Sequence, residues 1–315
     1  MIPALKLRRT SIRNDTVRVC VLGISAGGGV PQWNCRCENC RDVRSRGERF
    51  HQSHASIAVS GSGRSWCLIN STPDITNQIE RFKSLHPRTG MRSSPITSVF
   101  LTDGELDHTL GLLLLRQGAR LDVYATGVVV DILSKDFPVR RLVNSYADHR
   151  WKKLVGGQQI HLEREGLKIS VISAGTKLPR YVQGQKSAID ATVAYYIEDL
   201  RSASSLFYAP SLQEWTDTID AAAKKATCVM VDGTFWSDDE LISYGIADLK
   251  AKDMGHLPLD GKDGILSKLA NSTAPGKYLV HVNNTNRVLR SSSVERKMLL
   301  DQQISLAPER NEIII

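Results

Sequence analysis

Short apolar runs punctuate the whole chain: TVRVCVLG at 16–23, ASIAVSG at 55–61, SWCLIN at 65–70, TSVFLT at 97–102 and RLDVYAT at 120–126, then QQIHL, KISVISA, ATVAYYIE, SLFYAP, ATCVMVDG and KYLVHV. Several are unbroken apolar stretches of four to eight residues, the pattern of strands covered on both faces rather than one. Between them lie segments of helical spacing or composition, at Asp74 to Phe82, Asp107 to Arg116, Gly127 to Lys135, Ser211 to Lys224, Ile265 to Asn271 and Ser293 to Gln302. Pro73 before Asp74 marks a helix start, and Ser293 opens SVER, a near capping box.

Strand-rich stretches separated by helices occur in both halves without a fixed repeat. The architecture this predicts is α/β, two packed sheets flanked by helices in a four-layer αββα sandwich. No linker rich in Gly, Ser and Pro forces a break, so residues 17–315 are expected to form a single domain, preceded by a flexible N-terminal arm over 1–16.

Composition changes this picture little. A chain of 315 residues with 41% hydrophobic and 6% aromatic residues can bury a sizeable core. Its apolar runs fall short of the roughly 20 residues that span a bilayer, and no signal core follows the basic start, so a cytoplasmic protein without membrane insertion is expected. The formal charge of +8 is scattered, with short clusters at Lys6 to Arg9, Arg140 to Arg141 and Arg150 to Lys153. No nucleic-acid module accompanies them, which favours solvated faces over nucleic-acid binding.

Cysteine use is more informative. Cys20, Cys67 and Cys228 sit inside strand patterns as small apolar residues, whereas Cys35, Cys37 and Cys40 crowd into CRCENC. Without a secretion signal, C-x-C-x-x-C reads as three thiolates for a structural Zn²⁺ rather than as disulfides or a loop of reduced thiols. Tetrahedral zinc wants a fourth ligand, for which His51, His54 and the segment HVNNTN are candidates. The triple glycine of AGGGVPQWN lacks the GxGxxG context of a nucleotide site and reads as a tight turn beside a pocket.

Strand ends carry the remaining chemistry. Asp103, Glu105, Asp107 and His108 follow TSVFLT, where side chains project into the crevice beyond the strand. Acids at a helix start are ordinary caps worth a few tenths to about 1 kcal/mol, which accounts for one or two acids but not for the adjoining histidine. Asp232 ends another strand, His281 lies in a late one, and His256 sits in the loop DMGHLPL. A lone strand histidine is more often a core residue than a ligand, but three such strand ends together point to a shared site.

The stretches GGGVPQWNCRCENC, LTDGELDHTLGLLLLRQG, DGTFWSDDE, DMGHLP and HVNNTN, in this order, resemble the metallo-β-lactamase superfamily and, within it, the coenzyme PQQ synthesis protein B family. The resemblance runs from about residue 17 to 290. It implies the αββα fold and a part in making pyrroloquinoline quinone, the redox cofactor built from a glutamate and a tyrosine of a peptide. Two roles have been proposed for that family: O₂-dependent hydroxylation of the tyrosine-derived intermediate, and carriage of the cofactor toward the periplasm.

Against the superfamily motif His-x-His-x-Asp-His, this chain reads Asp103-Gly-Glu105-Leu-Asp107-His108. The imidazoles of the first hydrolase metal are absent, SVISAGTK offers no loop histidine, and Pro210 and Ser211 stand where the bridging aspartate belongs. What remains is Asp107, His108 and His281, a two-imidazole, one-carboxylate set of the kind that suits non-haem Fe²⁺. The reading that follows is an iron-dependent, O₂-using hydroxylase of a PQQ precursor derived from a Glu/Tyr peptide. Asp232 and His256 would move protons, and Asp103 and Glu105 would serve as supporting groups or weak ligands. Arg81, Arg116 and Arg180 are candidate contacts for substrate carboxylates, and a homodimer is left open. The rivals are a metallohydrolase of a phosphodiester or peptide, which predicts two active-site metals, and a non-catalytic carrier, which predicts tight PQQ binding without turnover.

Overall fold

The structure, a computed structural model, describes residues 16–117 and 120–315. The arm expected over 1–16 therefore lies, but for its last residue, outside the described residues.

Two seven-stranded sheets face each other. The first runs in the order β14 (Glu312–Ile314), β1 (Arg18–Gly23), β2 (Ser56–Ser60), β3 (Trp66–Ile69), β4 (Ile96–Phe100), β5 (Asp122–Thr126) and β6 (Arg150–Leu154). The second runs β13 (Ser305–Leu306), β12 (Gly276–Val280), β11 (Cys228–Asp232), β10 (Ser205–Ala209), β9 (Ser187–Asp199), β8 (Leu167–Lys177) and β7 (Gln159–Leu162). Both are mixed: β3 to β6 pair in parallel, as do β10 to β13, while β1 with β2 and β8 with β9 are antiparallel.

The strands read as apolar throughout because both of their faces are covered. Val19, Ile57, Ile69 and Phe100 from one sheet meet Val171, Tyr195, Tyr208 and Met230 from the other in a shared inner core. Alternate residues face outward under helices: Leu68, Val99 and Val123 under Gly127–Lys135 and Val139–Asn144, and Phe207, Val229 and Leu279 under Asp217–Lys225, Ile265–Leu269 and Val294–Asp301. These helices and sheets form the expected αββα sandwich. No helix among the described residues is long and apolar enough to cross a membrane.

Several boundaries differ from the sequence expectation for local reasons. The helix expected from Ser211 begins only at Asp217, where the Thr216 hydroxyl accepts from Ile219 N and caps it. The stretch expected as one helix from Asp107 is a single α turn, Leu106–Thr109, followed by a 3₁₀ segment, Leu110–Leu115. Arg150 to Lys153, read as a basic cluster, is the edge strand β6, whose exposed Arg and Lys guard an open edge against further pairing.

The short turn after β4 is tied by its backbone to the segment that follows β3. Ser71 N donates to His108 O at 2.8 Å, and Gly111 N donates to Ser71 O at 2.9 Å. A Cβ on Gly111 would fall 2.2 Å from Thr72 O, so only glycine permits the approach. Gly111→Ala is expected to lower stability by at least about 1–3 kcal/mol, the range for overpacking, as a shift in the urea midpoint without a change in slope.

Candidate metal centre

The parallel strands β4, β11 and β12 end at one rim, and the candidate residues stand just beyond them, as in other open parallel sheets. After β4, Thr102 is held by Asn70, a residue at φ 67° whose Oδ1 accepts from Thr102 N at 2.9 Å, and the Thr102 hydroxyl donates to Asp103 at 2.7 Å. The Asp103 carboxylate is 3% exposed and lies 2.8 Å from Nδ1 of His108, while its other oxygen accepts from Glu105 N at 2.9 Å. Asp103 is therefore a carboxylate that orients an imidazole, leaving Nε2 of His108 buried and without a hydrogen-bond partner.

An unpartnered buried polar atom is costly unless something occupies it. Nε2 of His108 is 3.6 Å from Asp107 Oδ2, and the same oxygen is 3.2 Å from Nε2 of His281. One ligand atom from each of Asp107, His108 and His281 lies within 4.8 Å of the others. The donor chemistry, one hard carboxylate and two imidazoles, fits a divalent transition metal. With no ion bound, burial opposes charge on His108, but Asp103 and Asp107 outweigh it and push its pKa up to about 9. Burial also opposes charge on Asp107, yet the imidazoles beside it hold its carboxyl well below the usual range. His281 is pushed down, first by burial, and stays neutral as a ligand must.

His281 sits immediately after β12 in the left-handed region, at φ 56°. A β-rich segment holds a histidine there only when its surroundings over-determine it, and such strain gathers at functional sites. The surroundings here are the chain crossing between sheets, with Val282 N donating to Ile24 O at 2.8 Å, and a hydroxyl from Thr234, 2.8 Å from Nδ1 of His281. Thr234 was not anticipated from the sequence; the spacing D-G-T after an apolar strand was its only signal.

Asp232 and His256 form a pair, with His256 Nδ1 2.7 Å from Asp232 Oδ2. Only His256 reaches the cavity. Asp232 is fully buried and accepts from Leu212 N, Thr234 N and the Thr234 hydroxyl, so it meets the cavity through His256 rather than directly. Its geometry is that of a group that orients His256, whose ring stacks on His281 with centroids 5.2 Å apart.

A cavity of about 690 Å³ opens over these groups. The glycine turn reaches it, as expected, with Gly27 packed so that a Cβ would lie 3.4 Å from the Asp107 carboxyl carbon. Glu105 also lines it, its pKa pushed up to about 7 by burial and then by Asp103 and Asp107. Lys177 enters from the end of β8, and Arg180 and Tyr181 from the β8–β9 connection, which carries no recognisable motif. Of the three arginines considered, only Arg180 lines this cavity; Arg81 pairs with Glu309 at 3.5 Å, and Arg116 lies over the Tyr146 ring.

The cysteine cluster lies beside the cavity, the two sharing Gln32, Leu241 and Asn283 as lining residues. The sulfurs of Cys35, Cys37 and Cys40 lie within 4.8 Å of one another at the start of the helix Glu38–Arg46. Asn284, in HVNNTN, places its side-chain amide nitrogen 3.1, 3.6 and 3.4 Å from the three sulfurs in that order. Rotating the amide by half a turn presents Oδ1 to the same point, making Asn284 the candidate fourth ligand. The thiol of Cys40 and the Asn284 amide are among the bonds that draw the Cys37 thiol down to about 5. His54 instead binds Asp74 at 2.7 Å, and His51 lines a different cavity.

The Beta-lactamase superfamily domain profile matches residues 65–282. Coenzyme PQQ synthesis protein B of Methylococcus capsulatus is 39% identical over 300 residues, covering 94% of this chain and 99% of the relative. The Nitrosococcus oceani protein of the same name is 38% identical with the same coverage. The crystal structure of Zn(2+)-bound PqqB from Methylobacterium extorquens superposes with a TM-score of 0.86 at 32% identity, covering 94% of this chain and 99% of that one. The chain belongs to the coenzyme PQQ synthesis protein B family of the β-lactamase superfamily.

Proposed function

We propose that this protein acts in pyrroloquinoline quinone biosynthesis as an iron-dependent hydroxylase of the tyrosine-derived ring of a precursor made from a Glu/Tyr peptide. The observation that carries the reading is the buried, unpartnered Nε2 of His108 within a set of two imidazoles and one carboxylate. Asp107, His108 and His281 would hold the ion, and a bound Fe²⁺ would supply the one-electron chemistry that lets O₂ react with a closed-shell phenol.

The protein's own groups do the rest. Asp103 holds His108 by Nδ1 and Thr234 holds His281 by Nδ1, so both rings turn Nε2 to one point. Asp232 fixes His256 in the same way, and His256 then takes the phenol proton on its other nitrogen or returns it to the product. In the overall step one oxygen atom of O₂ is inserted into an aromatic C–H bond to give a hydroxyl and the other leaves as water, with two electrons and two protons from an external reductant. Zn²⁺ belongs, on this reading, to Cys35, Cys37, Cys40 and Asn284.

The test is anaerobic reconstitution with Fe²⁺ or with Zn²⁺, addition of a glutamyl-tyrosine dipeptide and ascorbate, then admission of O₂ with product mass followed. The expected result is a gain of one or more oxygen atoms with Fe²⁺ alone. The same product in sealed, oxygen-free samples rules the reading out, and tight PQQ capture without turnover leaves the carrier role in its place.

A further inference from the structure

The cavity has a cationic edge that the proposed ligands and proton groups do not use. β8 runs on from Lys177 through Leu178, Pro179, Arg180 and Tyr181, and all but Leu178 line the cavity. This connection is fastened to the metal-bearing turn: the Tyr181 hydroxyl donates to Gly104 O, and a Cβ on Gly104 would lie 3.3 Å from the Pro179 ring and 3.4 Å from that hydroxyl. Within the connection, Val182 N donates to Pro179 O at 3.1 Å, and Leu178 N donates to Lys186 O at 3.0 Å. Lys177 and Arg180 are thereby held in register with His108, which lies four residues beyond Gly104.

Neither Lys177 nor Arg180 makes a direct ion pair with a carboxylate among the described residues. Lys177 is half-buried and donates from Nζ to Met254 O at 2.7 Å, a neutral carbonyl. Arg180 makes no ion pair among the described residues and stands close enough to Lys177 to disfavour its charge, which burial already opposes. Glu105 and Asp103 act on Lys177 from the metal-bearing turn without pairing with it. Gln213, also on the cavity, uses Oε1 to accept from Thr176 N at 2.8 Å and Lys177 N at 3.3 Å, so its Nε2 donors take no part in those bonds. Two adjacent cations facing a cavity repel each other unless an anion joins them, and a guanidinium is the group best shaped to grip a carboxylate with two parallel bonds.

We propose that Lys177 and Arg180, with Gln213 beside them, form a carboxylate-reading subsite that seats an acidic group of the substrate while its phenol ring lies over the candidate metal ligands. The proposal rests on the hydroxylase reading for the phenol but not for the carboxylate. Arg180 and Lys177 are then specificity-determining residues that set which acidic phenols are accepted.

The test uses zinc-loaded protein, so that binding is read without oxygen chemistry, and calorimetric titration with three probes: glutamyl-tyrosine, glutarate, and glutaminyl-tyrosine amide, which has no carboxylate. Arg180→Gln is expected to weaken the two carboxylate probes by about ten-fold or more, as loss of charge-assisted bonds should, and to leave the amide probe unchanged. Arg180→Lys is expected to restore part of the affinity, because it keeps the charge but loses the two-pronged geometry. Unchanged carboxylate affinity in both Arg180→Gln and Lys177→Met overturns the subsite, as does equal weakening of the amide probe or failure of every probe to bind the parent protein. If glutarate binds the parent and is lost in Arg180→Gln while glutamyl-tyrosine does not bind, the subsite stands and the proposed substrate falls.

Discussion

His108→Ala is expected to empty the cavity of its ion while leaving the cysteine-bound zinc in place, so that metal content by plasma emission falls from two ions per chain to one. Hydroxylation should fall by more than the roughly 10–100-fold that loss of an outer supporting partner costs. Asp103→Asn provides that comparison. It keeps the shape and a hydrogen bond to Nδ1 of His108 but removes the charge that raises the ring's basicity, so it should lie within that smaller range. If His108→Ala retains both ions, the proposed ligand set is wrong.

The same residue gives the metal affinity a pH dependence. In the metal-free protein the His108 pKa is raised from 6.5 to about 9, so at neutral pH the ring carries a proton that the ion must displace. Apparent affinity should rise about ten-fold per pH unit from near 7 up to about 9 and then level off, with one proton released per ion below that point. The sign for folding is the reverse. A raised pKa stabilises the metal-free fold below 6.5, and that contribution is lost as pH climbs through about 9. Calorimetry in buffers of different ionisation enthalpy counts the released proton directly.

Cys40→Ser should have the larger effect on the fold. Structural zinc binds small peptides with about 10–16 kcal/mol, as much as the whole stability of a domain at about 5–15 kcal/mol. Here the ion would join the loop before Glu38–Arg46 to Asn284, with the buried Asn39 amide donating to Asn284 O at 2.8 Å and to Asn286 O at 2.9 Å. Loss of one thiolate is expected to release the zinc and lower the melting temperature by about 10 °C or more, at roughly 2–4 °C per kcal/mol for a chain of this kind. Because His281 lies three residues before Asn284, affinity for the cavity ion should fall as well. Asn284→Ala should weaken zinc but disturb the fold less, since three thiolates remain. A Cys40→Ser protein that keeps its zinc and its melting temperature would show that these cysteines hold no structural ion.

Much of this was legible along the chain. The apolar runs of four to eight residues became strands, and Gly127–Lys135 is a helix with the expected bounds, because the signals for both lie within one turn or one strand. Capping was legible for the same reason: the Ser293 hydroxyl accepts from Arg296 N at 3.0 Å, within a four-residue window. Less was legible where exposure and charge hid a strand, as in RWKKL, whose place is settled by pairing with β5. Asp232 read as a proton-moving acid at a strand end, because a sequence does not say that Leu212, Thr234 and His256 converge on it from three segments.

Local signals along the chain reached most of the strands, the αββα class, and the acids and imidazoles that stand at strand ends, since periodicity and spacing act over a few residues. Which nitrogen of each imidazole is free, the meeting of Asn284 with the cysteines, and the cavity that Lys177 and Arg180 share with His108 came from the packed fold. Those facts depend on hydrogen bonds and packing between residues up to 249 positions apart, as for Asn284 and Cys35, and nothing local in either partner encodes the meeting.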